Sequence, residues 1–328
     1  MVKLKAAVIG AGWAGKMHAQ AYKISPNASL IGVSDIAEDK AKKIGEELGV
    51  FHTTDYEALI KKGAQIVSIA TPPFAHFEIT KSAMERGVHV LVEKPITLDL
   101  DEAQELVELA DQSEAKLMVG FSERFHVGFS AVKKRMKLIG KPYMARGWWM
   151  HRASSSKGWI WDVKKSGGAI VDLGIFLIDL FRWFFNSEVR MVECRSGNFV
   201  FEDADSEDSA LMMLKFKNEA FASIDVSRIL PDSFPSSINV GMDIFGSEGC
   251  MKVDTTTSLP LQVFTKEEVS IPDLLRTPRF WIADEVNYFL NCILENKEHM
   301  CTARDGKMAL EVALGARRSA ELHEKVVF

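Results

Sequence analysis

Three consecutive residues, Glu93-Lys94-Pro95, place a carboxylate, an ammonium group and a proline directly after the apolar run Val88–Val92. Such a run is typical of a strand that is buried in a parallel sheet. A lysine at the carboxyl end of that strand can meet a substrate, because open α/β sheets bind ligands along this edge. The proline disfavours helix at Lys94 and predicts an extended or turn conformation. Lys94 is therefore a candidate for acid–base chemistry at a ligand site.

A glycine pattern near the start predicts a dinucleotide site. The apolar run Ala6–Ile9 leads into Gly10-Ala-Gly12-Trp-Ala-Gly15, and an amphipathic stretch follows. In this pattern Gly10 permits a tight turn, Gly12 lets the backbone approach a pyrophosphate, and Gly15 allows close packing of helix on strand. The helix N-terminus offers free N–H groups to the phosphates. Asp35 stands twenty residues after Gly15, where a carboxylate that binds ribose hydroxyls is expected.

The residues around Asp35 favour NAD over NADP. Its carboxylate would repel a 2′-phosphate, and Ile36 and Ala37 follow with no arginine to neutralise one. His76 either points at the cofactor or begins the next helix. Further cofactor contacts are expected from Trp13, Ala14, Ile36, Ala70, Thr71, Pro72, His76, Glu93 and Lys94.

Composition excludes several classes of protein. The 328 residues are 47% hydrophobic and 26% charged, and a chain of this length predicts two domains. A net charge of −5 argues against a nucleic-acid or anionic-membrane partner. The four cysteines lack metal-binding spacing, so we expect no metal and free thiols in a reducing compartment. With no signal peptide and no clean apolar span in the sequence, we expect a cytoplasmic protein.

The pattern of apolar residues changes near residues 121–125. Before that point strand and helix signals alternate, and Asp99 with Glu102 predicts a capped helix. Beyond it strand signals dominate, including a hairpin of Ala210–Phe216 with Ala220–Val226, before two long helices. We therefore predict an α/β protein with an N-terminal Rossmann domain (1–122). A second α/β domain (123–328) is expected to be built on a large, mostly antiparallel open sheet.

These motifs in this order resemble the glucose–fructose oxidoreductase/inositol dehydrogenase/MocA family over nearly the whole chain. Besides the glycine pattern and Glu93-Lys94-Pro95, the resemblance rests on Thr71-Pro72 with His76 and on two later segments. The later segments are Val119-Gly-Phe121 leading to Arg124-Phe125, and Gly167-Gly168-Ala-Ile-Val-Asp172-Leu-Gly174.

The resemblance implies nicotinamide-dependent oxidation of a hydroxyl on a sugar, cyclitol or related polyol, or the reverse reduction of a ketone. By position, Lys94 would be the catalytic lysine and Asp172 the carboxylate that assists it. In relatives the sheet of the second domain often forms the face of a dimer or of a dimer of dimers. The resemblance therefore implies a homodimer or homotetramer that assembles through this sheet.

One position departs from the family pattern. Many relatives carry a histidine four residues after the aspartate, where this chain has Phe176, which cannot carry a proton. Three alternatives follow. Lys94 performs the proton transfer itself, or another side chain such as His151 or His126 replaces the missing histidine. In the third alternative the chain binds NAD without turnover. Phe176 can also serve as an apolar platform beneath a sugar ring.

A dense group of tryptophans is a further candidate for the substrate pocket. Tryptophan commonly stacks on sugar faces, although it also fills cores. The function favoured is an NAD-dependent dehydrogenase or reductase acting on a small sugar-like substrate. A nucleotide-sugar dehydrogenase of the same family and a non-catalytic NAD-binding sensor are the alternatives. The predicted substrate-binding residues are Lys94, Arg124, His151, Trp161, Lys165, Asp172 and Phe176.

Overall fold

Strands and helices alternate from the N-terminus in a computed structural model that describes residues 3–153, 158–256, 261–271 and 281–328. The strands are β1 (Leu4–Ile9), β2 (Ala28–Ser34), β3 (Phe51–Thr53), β4 (Ile66–Ile69), β5 (His89–Glu93), β6 (Leu117–Gly120), β7 (Pro142–His151), β8 (Val189–Gly197), β9 (Ser209–Phe216), β10 (Phe221–Ser227), β11 (Ile238–Gly246), β12 (Gly249–Asp254), β13 (Leu261–Thr265), β14 (Val269–Ser270) and β15 (Val326–Val327). The α-helices are α1 (Trp13–Ile24), α2 (Glu38–Leu48), α3 (Tyr56–Lys61), α4 (His76–Met84), α5 (Leu100–Gln112), α6 (Val127–Arg135), α7 (Val163–Ser166), α8 (Ile175–Phe185), α9 (Trp281–Leu294) and α10 (Ala303–Leu322).

The chain divides into two compact units. The first unit contains Met1–Phe125 and Pro278–Lys307, and the second contains His126–Thr277 and Met308–Phe328. The sequence predicts a single change of domain after residue 122, three residues before the first crossing. It does not predict that a later segment, which includes α9, returns to the first unit.

The first unit is built on a parallel sheet with the strand order β3-β2-β1-β4-β5-β6. Its inner strands β1, β4 and β5 are mostly apolar and mostly buried, as expected when helices cover both faces. The Asp99 side chain accepts hydrogen bonds from the backbone N–H groups of Asp101 and Glu102, and α5 begins there. The Rossmann fold predicted for this region is confirmed.

Strand register brings the chemical motifs of the first unit to one edge of this sheet. Ile9 of β1 pairs with Ile69 of β4, and Ile69 pairs with Val92 of β5. The loops after these three strands therefore start side by side. Because β1 and β4 lead to opposite halves of the sheet, their junction is the switch point at which such folds bind ligands.

The second unit contains a sheet with the order β14-β13-β12-β11-β7-β10-β9-β8-β15. Its pairings are antiparallel except for β10 with β7, which run parallel. This mostly antiparallel sheet confirms the predicted fold class. The strands that were predicted from apolar runs begin and end within about two residues of those runs. Differences of this size are usual when strand boundaries are predicted from sequence. Strands β3, β13, β14 and β15 are short and were not predicted.

Helix α8 covers one face of the second sheet closely because small residues lie beneath it. A side chain at Gly147 would approach Phe181 to 3.0 Å and Leu177 to 3.2 Å. The apolar stretch that α8 occupies is thus part of a core. In the part of the chain that the structure describes, no helix combines the length and the apolar character needed to cross a membrane.

Candidate functional site

The glycine loop between β1 and α1 is shaped by two close contacts and one open position. Gly10 has a φ of +99°, and a Cβ there would lie 2.5 Å from the carbonyl oxygen of Ala70. A Cβ on Gly15 would lie 1.8 Å from the carbonyl oxygen of Gly10. Gly12, by contrast, has no neighbour within 4 Å of such a Cβ. The space beside Gly12 therefore permits a ligand to approach the backbone.

The start of α1 and the end of β2 provide donors and an acceptor beside this space. Helix α1 begins at Trp13 with no side-chain cap on its first turn, which leaves N–H groups available to an anion. Asp35 accepts hydrogen bonds from Ala11 N–H (2.8 Å) and Ala37 N–H (2.9 Å), one at each carboxylate oxygen. Each oxygen keeps a lone pair for a hydroxyl donor.

Other groups on this edge also fit a dinucleotide. Trp13 is 69% exposed and Ile36 is 93% exposed, so each leaves apolar surface uncovered beside the loop. The hydroxyl of Thr71 is buried and has no hydrogen-bond partner among the described residues. An open glycine and an uncapped helix start at one sheet edge are suited to the pyrophosphate of a dinucleotide. The residues present therefore fit that cofactor.

His76 is engaged by the backbone on both sides of its ring. It is fully buried at the first residue of α4, with Nδ1 2.8 Å from the carbonyl oxygen of Pro95 and Nε2 2.9 Å from that of Thr71. Burial lowers its pKa below the usual value, although both carbonyl contacts oppose this. Of the two predicted alternatives, His76 begins the helix. The predicted contact of His76 with the cofactor stays a prediction.

A buried hydrogen-bond chain, missed in the sequence, fixes Glu93. Nε2 of His18 lies 3.1 Å from Oε1 of Glu93, and Nδ1 of His18 lies 3.1 Å from the hydroxyl of Ser68. The Tyr22 hydroxyl lies 2.8 Å from Ser68. Burial opposes ionisation of Glu93, but the hydrogen bond to His18 and the charge of Lys94 hold its pKa below the usual range. Its second oxygen accepts from the backbone N–H of Lys94 at 3.3 Å.

Two further buried carboxyl groups, Glu123 and Glu285, interact electrostatically with Lys94 or Glu93. Lys94 directly follows β5, and its bond to Pro95 is cis. Burial raises the pKa of Glu123 to about 8, against the opposing charge of Lys94. Burial also raises the pKa of Glu285, on α9, and the charges of Glu93 and Glu123 add to this effect. Glu123 lies within the segment that leads from Phe121 to Arg124 but was not singled out there, and Glu285 belongs to no motif because α9 joins the first unit only through the fold.

In the second unit Asp172 is held by an arginine that the sequence did not suggest. Asp172 lies in a π-helical turn, Ile170–Gly174, directly before α8. Nη2 of Arg228 donates to the Asp172 carboxylate at 2.9 Å, and Nη1 donates to the carbonyl oxygen of Ile160 at 2.7 Å. The Glu207 carboxylate accepts from Ile170 N–H at 2.7 Å, which caps the same turn. The Asp172 side chain remains 23% exposed, so it can still meet a ligand.

Phe176 and His151 lie near this carboxylate in different ways. Phe176 is nearly buried and stacks on Trp149, with ring centroids 4.4 Å apart and an interplanar angle of 7°. His151 ends β7, and burial lowers its pKa, while the nearby Asp172 opposes that shift. Among the described histidines of the second unit, His151 is therefore the one whose pKa Asp172 influences.

Two predicted substrate residues of the second unit have other partners. Trp161 is 2% exposed, packs on Phe201 with centroids 5.0 Å apart, and covers the Arg228 guanidinium at 5.1 Å. It therefore supports Arg228 from the core, and its predicted contact with the substrate stays a prediction. Lys165 forms an ion pair of 2.8 Å with Asp162, half exposed to solvent.

Arg124 and His126 also have structural roles. Arg124 is buried, with Nη2 3.5 Å from Asp305 and its guanidinium 5.9 Å from the ring of Phe121. Its predicted contact with the substrate stays a prediction. His126 caps α6 by accepting from Gly128 N–H at 3.2 Å. Burial lowers the pKa of His126 to about 4, which makes it a weak base.

Comparisons with known proteins agree with both units. The family described as an oxidoreductase family with an NAD-binding Rossmann fold matches residues 4–121, and the GFO/IDH/MocA C-terminal domain matches residues 131–252. The NAD⁺-dependent scyllo-inositol 2-dehydrogenase of Bacillus subtilis is 27% identical over 97% of this chain and 94% of its own length. Myo-inositol 2-dehydrogenase of Thermotoga maritima is 27% identical over 97% of this chain and 96% of its own.

A solved structure of a further relative superposes over nearly the full length. UDP-N-acetylglucosamine 3-dehydrogenase from Acidithiobacillus ferrooxidans gives a TM-score of 0.86 at 27% identity, covering 98% of this chain and 99% of its own. The glycine loop, the lysine after β5 and the aspartate before α8 thus occur in a chain that matches both domains of one family. The protein belongs to the GFO/IDH/MocA family of oxidoreductases.

Proposed function

We propose that this protein is an NAD-dependent dehydrogenase or reductase that acts on a hydroxyl or ketone of a sugar, a cyclitol or a related polyol. The observation that carries the proposal is the position of Lys94, directly after β5 on the edge that also carries the open glycine loop. The inositol and sugar dehydrogenases among its relatives support this substrate class.

One set of residues is proposed to bind the cofactor, and another set is proposed to transfer the proton. Gly10, Gly12 and Gly15 shape the loop and the start of α1 binds phosphates, with Trp13 and Ala14 in its first turn. Asp35 accepts from ribose hydroxyls, and Ile36 leaves apolar surface beside it. When bound, the nicotinamide accepts or gives the hydride. Ala70, Thr71 and Pro72 form the wall of the loop after β4.

Lys94 is the proposed acid–base group, and Asp172 is the proposed carboxylate that orients the substrate. The ammonium group of a lysine can give a proton to a ketone oxygen, and its amine form can take one from a hydroxyl. The hydrogen bond of Arg228 to Asp172 holds this carboxylate in one orientation. The His18–Glu93 pair fixes the backbone from which Lys94 projects.

Phe176 leaves Lys94 and His151 as the groups that can move the proton. A phenylalanine stacked on Trp149 carries none, but it gives the second unit a rigid apolar surface. His151 has Asp172 as an electrostatic neighbour, as a base with an orienting carboxylate would. Lys94 is proposed first because its backbone is held by Glu93, and His151 is the alternative.

NAD is the proposed cofactor in preference to NADP. The two oxygens of Asp35 are fixed by backbone donors next to the glycine loop, where a 2′-phosphate would meet a negative charge. All four cysteines are free, which is typical of a reducing compartment, and we place the protein in the cytoplasm on that basis.

The open face of the second sheet is proposed to join two copies of the chain. Strand register sets an apolar row across five neighbouring strands, formed by Phe221, Met144, Phe245, Cys250 and Phe264. On the same face Leu211 and Met213 are 50% and 55% exposed. A contiguous exposed apolar surface of this kind marks an association site. A homodimer through this face, or a tetramer of two such dimers, would bury it.

Turnover tests the proposed function. Purified protein with NAD and a panel of inositols, aldoses and sugar acids is expected to produce NADH, which absorbs near 340 nm. Lys94→Met is expected to bind NAD and to lose turnover, whereas Lys62→Met, at an exposed lysine of the same unit, is expected to keep it. Full turnover in Lys94→Met would overturn the assigned role. Tight NAD binding without turnover on any substrate would favour a non-catalytic sensor.

A nucleotide sugar is the second candidate substrate. A relative that is 28% identical over 98% of this chain is named UDP-N-acetylglucosamine 3-dehydrogenase. Including UDP-sugars in the same panel separates the two candidates. Turnover confined to UDP-sugars would replace the free sugar or cyclitol as the proposed substrate.

A further inference from the structure

The turn that carries Asp172 is capped by a side chain from another part of the second unit. The π-helical turn Ile170–Gly174 lies at the start of the helical segment that continues into α8. The first N–H groups of a helix have no acceptor within the helix and need one from outside. Oε1 of Glu207, which lies just before β9, accepts from Ile170 N–H at 2.7 Å. Glu207 is thus bonded to the backbone two residues before Asp172.

The approach of Glu207 to this turn requires a glycine at position 168. A Cβ at Gly168 would lie 2.6 Å from each carboxylate oxygen of Glu207, far closer than van der Waals contact. Gly168 also has a φ of +77°, which glycine adopts without strain. Any side chain at this position would displace the carboxylate from Ile170 N–H. The second glycine of the pair Gly167-Gly168 therefore has a physical reason, which is to leave room for the cap.

Glu207 and Arg228, which both bind this turn, are attached to neighbouring strand ends. The first residue of β9 pairs with the last residue of β10. Just beyond this pair, Arg228 N–H donates to the carbonyl oxygen of Asp208 at 2.8 Å. The sheet therefore fixes the separation between the residue that caps the turn and the residue that binds Asp172.

The far end of the turn packs on the same two strands. A Cβ at Gly174 would lie 2.7 Å from the Cε atom of Met212, on β9, and 3.9 Å from a methyl carbon of Val226, on β10. The turn is thus held at its start by Glu207, at its end by close packing on the sheet, and between them by Arg228.

The register of this turn decides where Asp172 points. A π-helical turn contains one residue more than an α-helical turn and is rare inside helices. Relaxation to an α-helical turn would shift the register by one residue, which corresponds to a rotation of about 100° around the helix axis. Because Arg228 is fixed at the end of β10, such a rotation would take the Asp172 carboxylate away from it.

We propose that Glu207 is a positioning residue for the reaction, because it holds the turn in its π-helical register and so directs the Asp172 carboxylate at the substrate. This inference rests on the proposed function, in which Asp172 orients the substrate. Glu207 acts through the backbone of the turn and not by contact with substrate or cofactor. Gly168 belongs to the same arrangement, since its missing side chain lets the Glu207 carboxylate reach Ile170 N–H.

The test begins with crystal structures of the protein without substrate, which require no turnover. Glu207→Gln keeps an oxygen at the same reach, so Ile170 N–H should stay capped and Asp172 should stay on Arg228. Glu207→Leu fills the space without an acceptor, so the turn should change register and Asp172 should leave Arg228. If Glu207→Leu does not fold, Gly168→Ala replaces it, because the added methyl group displaces the Glu207 carboxylate from the turn.

Turnover on the substrate identified from the panel supplies the second readout. Glu207→Leu is expected to lower kcat about a hundredfold with a smaller change in KM, because a misplaced orienting group costs about that much. Glu207→Gln should keep most of the wild-type kcat. In an Asp172→Asn background, Glu207→Leu should lower kcat by less than about twofold, since the carboxylate that it positions is already lost.

Asn218→Leu is the matched control for a lost cap on the same helical segment. Nδ2 of Asn218 donates to the carbonyl oxygen of Phe185, the last residue of α8, at 3.1 Å. This contact lies at the opposite end of the segment from Asp172. Asn218→Leu should therefore lower the melting temperature and leave kcat unchanged, which separates lost stability from lost positioning.

Several results would overturn the proposal. One is a crystal structure of Glu207→Leu in which Asp172 still binds Arg228. Others are a Glu207→Gln variant as impaired as Glu207→Leu, or equal losses of kcat from Glu207→Leu with and without Asp172→Asn. These three outcomes leave the proposed function standing. A wild-type protein that turns over no substrate overturns the proposed function and the positioning role with it, even where the crystal structures show that Asp172 has moved.

Discussion

Arg228 binds Asp172 with one arm of its guanidinium and the carbonyl oxygen of Ile160 with the other, at 2.9 and 2.7 Å. The ring of Trp161 covers the guanidinium at 5.1 Å, and the arginine is 1% exposed. Three contacts thus fix the buried Arg228 guanidinium, and its ion-pair partner is the partly exposed carboxylate of Asp172. Asp172 is oriented by this arrangement, and Trp161 matters to the site through the arginine.

Arg228→Met should therefore affect both stability and function. The substitution leaves the Asp172 carboxylate and the Ile160 carbonyl without their donors, and removing one partner of a buried pair costs about 3 kcal/mol. We expect the free energy of unfolding, measured with urea, to fall by roughly that amount. Turnover should fall further than stability explains, because Asp172 is no longer held in one orientation.

Arg190→Met is the matched control. This arginine pairs with Glu219 at 3.4 Å, and both side chains are more than half exposed. A surface pair contributes about 0–1 kcal/mol, so little change is expected. Equal losses of stability in the two variants would show that the hydrogen bonds of the buried Arg228 guanidinium contribute no more to the free energy of unfolding than a surface ion pair does.

Asparagine in place of His126 should stabilise the protein against acid. The pKa of His126 is lowered from 6.5 to about 4 by burial, so the wild type loses stability as pH falls from about 6.5 to 4. Asparagine caps helices well and does not titrate in this range. The advantage of His126→Asn should be near zero at pH 8 and reach about 2 kcal/mol by pH 4, given the partial exposure of the ring.

Thermal unfolding of His126→Asn and His126→Ala across this pH range separates the two effects. Alanine also removes the titration but loses the cap, which costs about 1 kcal/mol at every pH. Turnover of His126→Asn should match the wild type. A loss of turnover with unchanged stability would restore His126 as a candidate base.

Much of this arrangement can be read from the sequence, because strands, caps and glycine turns are local. The apolar run before Gly10, the cap at Asp99 and the lysine after β5 each follow from neighbours in the chain. The partners of the site residues do not. Arg228 lies 56 residues after Asp172 and is brought to it by the second sheet.

The same limit applies to the buried carboxyl groups of the first unit. Glu285 belongs to α9, which returns to the first unit only after strands β7–β14 of the second unit have intervened in the chain. His18 does stand three residues after Gly15, on the first helix, so its proximity to the ends of neighbouring strands could have been anticipated. Trp161 was assigned to the pocket from its residue type, whereas in the fold it contacts Phe201 and Arg228, both distant in the chain.

Phe221→Lys should disrupt assembly through the second sheet. Phe221 is 48% exposed and begins the apolar row on the open face, so a charge there would be buried without a partner in a dimer. Light scattering after gel filtration is expected to give a smaller mass than for the wild type, with NAD binding retained. Ile24→Lys, at a residue 73% exposed in the first unit, should keep the wild-type mass. A wild-type protein that is monomeric would contradict the proposed interface.

Two alanine substitutions in the glycine loop should separate stability from cofactor binding. A Cβ at Gly15 would lie 1.8 Å from the carbonyl oxygen of Gly10, so Gly15→Ala must displace α1 from β1. Overpacking of this kind costs about 1–3 kcal/mol or more, and we expect a lower melting temperature without cofactor. A Cβ at Gly12 meets nothing within 4 Å, and its φ of −76° suits alanine. Gly12→Ala should therefore lose less than about 1 kcal/mol of stability, the difference between the two residues as helix caps.

Cofactor binding is where Gly12→Ala should show its effect. The added methyl group occupies the space that we assign to the pyrophosphate, so the dissociation constant for NAD, measured by calorimetry, should rise about tenfold or more, equivalent to at least about 1.4 kcal/mol. Gly15→Ala should weaken NAD binding only as far as the helix start is displaced. If Gly12→Ala binds NAD as tightly as the wild type, the pyrophosphate does not approach this backbone. The open position beside Gly12 would then be unrelated to the cofactor, whatever the stability of the two variants.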